Sequence, residues 1–231
     1  MNGDLRGNAL VLYKANLPAF DQTQKNIIVG TLLGDSSLYK LNNPHANCWL
    51  RFEQKIESKE YVDHLHSKFK DWCSTQPQNF VIKSEEKSEQ VKFYWFRTYR
   101  HDSFKFYDEQ FYKTDHQTGK QVKVVPKLIH RWLNNESLAY WFMGDGSKGK
   151  SGYFLHTESF TLPENERLAD ALGKAFKLEV NIHKDLRPHK SLYKLYITNK
   201  SAKEFTKLVE PFILGCFRQK LIEKLIPSRK Q

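Results

Sequence analysis

Ile27-Ile28-Val29-Gly30-Thr31-Leu32-Leu33-Gly34-Asp35 has a counterpart in Leu138-Ala139-Tyr140-Trp141-Phe142-Met143-Gly144-Asp145-Gly146. Both are short apolar runs that close on Gly-Asp. Apolar residues surround each run almost completely, so each reads as a helix that lies against protein on most sides. Asp21, with Gln24 three residues on, makes a capping-box-like start for the first, and Asn135 or Ser137 can cap the second. Gly30 and Gly34 are spaced i, i+4 and share a face, which lets a partner helix approach closely. The two runs can therefore pack on each other.

A second similarity supports duplication. Gln121-Val122-Lys123-Val124-Val125-Pro126-Lys127-Leu128-Ile129 matches Arg218-Gln219-Lys220-Leu221-Ile222-Glu223-Lys224-Leu225-Ile226, with K-x-x-x-K-L-I in common. The aspartates are 145 − 35 = 110 residues apart and the lysines 220 − 123 = 97, so the halves share an order and differ in loop length. Strands are expected at Cys48 to Ile56, Val91 to Arg100, Gly152 to Thr157 and Leu192 to Thr198. Helices are expected at Tyr61 to Trp72, Asp102 to Tyr112, Glu164 to Phe176 and Ala202 to Phe212, and the charged run Lys83 to Gln90 reads as a solvated hairpin tip or loop. The result is an α+β repeat, with halves divided at 1–130 and 131–231.

Lys and Arg number 37 against 26 Asp and Glu, a formal charge of +11, so the natural partner is a polyanion. Nucleic acid leads that class, which ribosomal proteins and binders of anionic membranes share. Cys48, Cys73 and Cys216 are isolated from one another and form neither a zinc signature nor a disulfide framework. His45, His64, His66 and His101 fit no metal or nuclease spacing and receive no role. The first 20 residues lack the basic and apolar pattern of an export signal, and no apolar stretch reaches membrane-spanning length. A protein that is not secreted and has no membrane partner is expected, in an organelle that encodes it (chloroplast or mitochondrion) or in microbial cytoplasm.

Asp at the eighth position of an apolar nine-residue segment, read as IVGTLLGDS and again as LAYWFMGDG in a basic α+β chain, resembles the LAGLIDADG homing endonucleases. SLAYWFMGDG, LHTESFT and the lysine before VVP are similar to their single-chain, intron-encoded branch, and the likeness spans nearly the whole chain. Tyr140 stands where the motif usually has Gly, and Ser36 replaces the terminal Gly of the first copy. The resemblance implies two pseudo-symmetric αββαββα halves with saddle-shaped antiparallel sheets in the major groove. The motif helices then pack at the centre and their aspartates meet beneath the minor groove.

By the same resemblance, Asp35 and Asp145 would hold Mg²⁺ with the carbonyls of Gly34 and Gly144. Mn²⁺ would substitute, and Ca²⁺ would support binding without cleavage. Lys123 and Lys220 would lie near the scissile phosphates; Gln54 would order attacking water in one half, with Glu158 in the corresponding segment of the other. The partner would be double-stranded DNA with a long asymmetric site, cut in both strands to leave short 3′ overhangs. The chain would act as a monomer without an obligate protein partner.

Mg²⁺ prefers hard oxygen ligands and keeps much of its water, so one Asp per half with carbonyl and phosphate oxygens suffices. Strand alternation sets Leu50, Phe52 and Ile56 toward a core and Arg51, Glu53 and Lys55 toward a groove. Tyr39, Lys40, Arg97, Arg100, Lys148, Lys150, Lys184, Arg187, Lys190 and Lys194 join them as expected base or phosphate contacts. An intron RNA maturase on the same scaffold and a plain basic RNA binder are the competing readings. The second fits poorly, because the basic residues are dispersed over strands instead of gathered in a tail.

Overall fold

The computed structural model describes residues 5–41, 46–83, 89–116, 118–187 and 190–226, with the backbone alone described at 82–83, 89–91, 186–187 and 190. The first apolar run is the body of a helix, α2 (Gln22–Leu33), that follows an N-terminal helix, α1 (Gly7–Ala15). Asp21 Oδ1 accepts the Gln24 amide at 2.7 Å and Gln24 Oε1 accepts the Asp21 amide at 3.0 Å, the expected reciprocal cap. Then come β1 (Ser37–Tyr39), β2 (Trp49–Lys55), α3 (Lys59–Phe69), β3 (Gln78–Lys83), β4 (Glu89–Arg97) and α4 (Lys105–Phe111). A short ribbon of β5 (Tyr112–Thr114) and β6 (Gln121–Lys123) leads to α5 (Asn135–Asp145), which carries the second run. The chain continues through β7 (Gly146–Lys148), β8 (Tyr153–Leu155), α6 (Leu162–Phe176), β9 (Val180–Arg187), β10 (Lys190–Ile197) and α7 (Asn199–Val209).

The αββαββα plan therefore occurs twice, as α2-β1-β2-α3-β3-β4-α4 and α5-β7-β8-α6-β9-β10-α7. Both four-stranded sheets are antiparallel with one ordering, β1-β2-β4-β3 and β7-β8-β10-β9. In each, the second and fourth strands pair antiparallel in the middle and bury one face. Leu50, Phe52 and Phe96 fill the first core with Phe69 and Trp72; Tyr153, Leu155, Leu195 and Ile197 fill the second with Phe142 and Phe205. Among the described residues no helix is long and apolar enough to cross a membrane.

Some boundaries move. The cap of α5 is Asn134, whose Oδ1 accepts the Ser137 amide at 3.0 Å while Ser137 Oγ accepts the Asn134 amide at 2.8 Å, so Asn135 is already helical. Ile56 is half-buried and opens a 3-10 turn, because the β2 ladder with β4 stops at Lys55 opposite Phe93. The expected loop at 83–90 is narrower: Lys83 pairs with Glu89 and Ile82 with Gln90 within strands, and 84–88 lie outside the described residues. Pro211 cannot donate a helical hydrogen bond, so the expected helix to Phe212 ends as α7 at Val209 and a 3-10 turn follows.

The chain clusters into two compact units. One contains the N-terminal stretch through Lys25 and Asp35–Asp108; the other contains Asn26–Gly34 and everything from Glu109 onward. Most of the first apolar run thus belongs with the second. Within that unit, Asn26 donates to Glu136 Oε2 at 2.6 Å and accepts from Asn134 Nδ2 at 2.6 Å, which ties the second turn of α2 to the start of α5. One turn further, a methyl built on Gly30 would overlap the Ser137 carbonyl and sit 2.9 Å from Tyr140 Cβ. Close approach at the level of Tyr140 therefore depends on Gly30 alone. Gly30→Ala should lower the unfolding free energy by about 1–3 kcal/mol by overpacking. Gly34→Ala, whose added methyl would meet nothing nearer than 3.5 Å, should be close to neutral; urea midpoints of the two variants test the contrast.

Candidate active site and nucleic-acid interface

The Gly-Asp pair lies in the turn just past α2 and forms the last two residues of α5, where the final backbone carbonyls lack helical partners and carry the negative end of the dipole. A lysine reaches each of these ends. Lys123, on β6, donates from Nζ to the Gly34 carbonyl at 3.0 Å. Lys220, at the end of the 3-10 run Gly215–Lys220, donates to the Met143 carbonyl at 2.7 Å and the Gly144 carbonyl at 3.3 Å. The two K-x-x-x-K-L-I segments have dissimilar backbones, strand in one and 3-10 in the other. Their first lysines nonetheless arrive at equivalent carbonyls.

The carboxylates have different neighbours. Gln54, at the end of β2, donates from Nε2 to Asp35 Oδ2 at 2.7 Å. Both line a depression of about 340 Å³ with Tyr39, Arg51, Glu53 and Lys55. In the other unit, Asp145 closes α5 and its carbonyl accepts the His156 amide at 2.8 Å. Glu158 follows in the turn after β8, and its Oε1 lies 3.1 Å from His156 Nδ1. Among the described residues no three His, Cys, Asp or Glu side chains gather into a metal cage. One carboxylate next to one carbonyl, both hard oxygen donors, suits a hydrated Mg²⁺ that takes further oxygens from a phosphate.

The solvent face of the first sheet presents Ser37, Tyr39, Trp49, Arg51, Glu53, Lys55, Phe93, Trp95 and Arg97, in register across β1, β2 and β4. Arg51 pairs with Glu53 and stacks over Trp95 with its guanidinium 4.6 Å from the ring centroid. Arg100 lies 4.8 Å over Trp49, which stacks on Tyr39 at 5.8 Å. Lys40 is turned away to an ion pair with Asp108 at 3.0 Å. On the second sheet, Lys194 stands over Phe154 at 5.0 Å, and Lys194 and Tyr196 project on the same face as His183 and Phe154. Lys184 pairs with Tyr193 and so alternates to the opposite face, which separates it from Lys194. The side chains of Arg187 and Lys190 lie outside the described residues. Lys148 and Lys150 line a groove of about 840 Å³ with Arg218 and Lys224.

A family profile described as the LAGLIDADG DNA endonuclease family matches residues 25–205, which include both Gly-Asp pairs, most of α2, all of α5 and both sheets. The chain belongs to this family. Membership makes it a site-specific DNA endonuclease, in agreement with its relatives. The DNA endonuclease I-ChuI of Chlamydomonas applanata is 29% identical over 208 residues, covering 87% of this chain and 94% of that protein. The cytochrome b mRNA maturase bI2 of Saccharomyces cerevisiae is 24% identical, covering 89% of this chain and 49% of that one. The solved structure of the homing endonuclease I-WcaI bound to its DNA recognition sequence has a TM-score of 0.80 at 27% identity, covering 94% of this chain and 93% of that chain.

Within this LAGLIDADG fold, four features escape the sequence reading. Trp49 and Trp95 follow the same period-two alternation as Arg51 and were legible as its neighbours, but their partners across strands required the register. Arg218 and Lys224 flank Lys220 in the repeat, yet only the fold brings them to the groove of Lys148. Ser147 and His156 fall nine residues apart in sequence and meet because β7 and β8 form a tight hairpin. Finally, the buried Tyr153 hydroxyl accepts the Ile222 amide at 3.0 Å and meets Thr206 Oγ1 at 2.7 Å, which holds the segment carrying Lys220. Tyr153→Phe leaves that amide and hydroxyl without this partner. It should cost about 1–3 kcal/mol and raise the hydrogen-exchange rate of the Ile222 amide, read by urea titration and exchange mass spectrometry.

Proposed function

We propose that the chain cuts both strands of a long, asymmetric DNA site by Mg²⁺-dependent hydrolysis, leaving short 3′ overhangs, in the service of intron homing. The observation that carries the reading is the matched ending of the two motif helices, Gly-Asp with a lysine ammonium on the adjoining carbonyls. Asp35 with the Gly34 carbonyl, and Asp145 with the Gly144 carbonyl, would hold the divalent ions. When bound, such ions neutralise charge on the attacking and leaving oxygens of the phosphodiester. Lys123 and Lys220 place a second positive charge at each helix end, where it stabilises the additional negative charge of the pentacoordinate phosphate. Gln54 holds Asp35 in one orientation and offers its amide oxygen to the attacking water; Glu158 serves the other half. Each half, 1–130 and 131–231, supplies one motif helix, one sheet and one lysine to a chain that works as a monomer in an organelle or microbial cytoplasm.

The sheet faces read the DNA. Arg51 is held over the Trp95 ring and charge-paired with Glu53, which suits a guanine edge better than a phosphate; the exposed Lys148 and Lys150 suit the backbone. Similarity to a cytochrome b mRNA maturase favours a second reading, assistance to intron RNA splicing on the same scaffold.

Incubation with a randomised DNA library and Mg²⁺, followed by sequencing of cleaved ends, should return one long asymmetric site. On that site Asp35→Asn or Asp145→Asn should abolish double-strand cutting while binding in Ca²⁺ persists. Retention of full cutting by both variants would reject the metal assignment, and splicing activity that survives both would favour the maturase. Salt titrations of binding separate the two kinds of contact. Lys148→Ala should reduce the slope of log affinity against log salt by about 1. Arg51→Ala should leave that slope unchanged and lose about 1–3 kcal/mol of discrimination at one base pair.

A further inference from the structure

The two halves hold their water-ordering residues in different ways. Gln54 touches Asp35 directly, amide to carboxylate, at 2.7 Å. A carboxylate at Glu158 cannot do the same toward Asp145, because two acceptor-only groups of like charge repel. It contacts a histidine instead. His156 Nδ1 lies 3.1 Å from Glu158 Oε1, and His156 Nε2 lies 2.9 Å from Ser147 Oγ. The neutral ring with its proton on Nδ1 satisfies both contacts: it donates to the carboxylate and accepts from the serine hydroxyl. The main chain of His156 is fixed as well, since its amide donates to the Asp145 carbonyl at 2.8 Å. The residue is thus held at three points, two on the ring by Ser147 and Glu158 and one on the main chain by the end of α5.

We propose that His156 is the positioning residue of the second half: braced by Ser147, it fixes the Glu158 carboxylate for the attacking water, a role for which the first half needs no counterpart. This rests on the cleavage reading above. Without that contact the half-buried Glu158 side chain loses its orienting partner, and a loss of this kind slows a reaction about 10- to 100-fold. Only the cut that depends on Glu158 is affected.

The test uses the full chain and a supercoiled plasmid carrying the site recovered by library selection, with Mg²⁺, and follows nicked and linear products with the cut strand mapped by primer extension. His156→Gln places its amide where Nε2 stands, so it keeps a partner for Ser147 and drops the contact with Glu158. His156→Asn places its amide where Nδ1 stands, so it keeps the contact with Glu158. His156→Gln should accumulate nicked plasmid, with one strand cut about 10- to 100-fold more slowly, an unchanged rate on the other strand, and unchanged binding in Ca²⁺. His156→Asn should restore most of the linear product, and Gln54→Ala should slow the opposite strand. Linear product at the unsubstituted rate from His156→Gln, or equal slowing of both strands, overturns the proposal while the cleavage reading stands. Absence of any cut by the unsubstituted chain overturns both.

Discussion

The close approach of the two apolar helices is the constraint from which the rest of the site follows. At Gly30 there is no room for a side chain between the backbone and the Ser137 carbonyl, and one turn earlier Asn26 is bound to both Glu136 and Asn134 at the start of α5. These contacts fix the pair in rotation and along its length. Once they are fixed, the ends of the two helices are fixed too, and with them the carbonyls of Gly34 and Gly144. Interiors are packed too tightly to slide by fractions of a turn, so such a pair transmits position as a rigid strut.

The lysines turn that position into electrostatics. An ammonium at a helix C-terminus is favoured by the dipole and by carbonyls that have no helical amide to accept from. Lys123 and Lys220 reach it from unlike local structures, a ribbon strand and a 3-10 run, so the fold preserves the end of the side chain and leaves its backbone free to differ. The second half supports its lysine with an additional bond, from the Tyr153 hydroxyl to Ile222. The halves also diverge at the carboxylates: an amide pairs with Asp35, whereas a Ser147-His156-Glu158 chain stands beside Asp145. Duplication conserved the plan and allowed each copy its own hydrogen-bond solution.

On the sheets, the exposed face of β2 and β4 combines cations with aromatic rings. Trp95 under Arg51 and Trp49 under Arg100 restrict guanidinium groups that would otherwise be free to rotate, and Glu53 directs Arg51 further. A planar donor held in this way carries less entropy to lose when it meets a base edge. Lys148 and Lys150 are exposed, and among the described residues no ring lies under either ammonium, so they suit a backbone whose geometry they need not match.

The sequence by itself determined the duplicated plan, the two Gly-Asp helix ends, the paired lysines and the core-facing alternation of β2. These are local signals: apolar periodicity, caps and a repeated motif depend on residues a few positions apart. The fold alone decided the true cap at Asn134, the edge strands β1, β3, β7 and β9, the diversion of Lys40 to Asp108 and the opposite faces of Lys184 and Lys194. It also brought Ser147 to His156, and Trp95 to Arg51. Each of those depends on strand register or on contacts between distant residues, and a side chain's partner across a sheet is set by a pairing that its own neighbours in sequence do not encode.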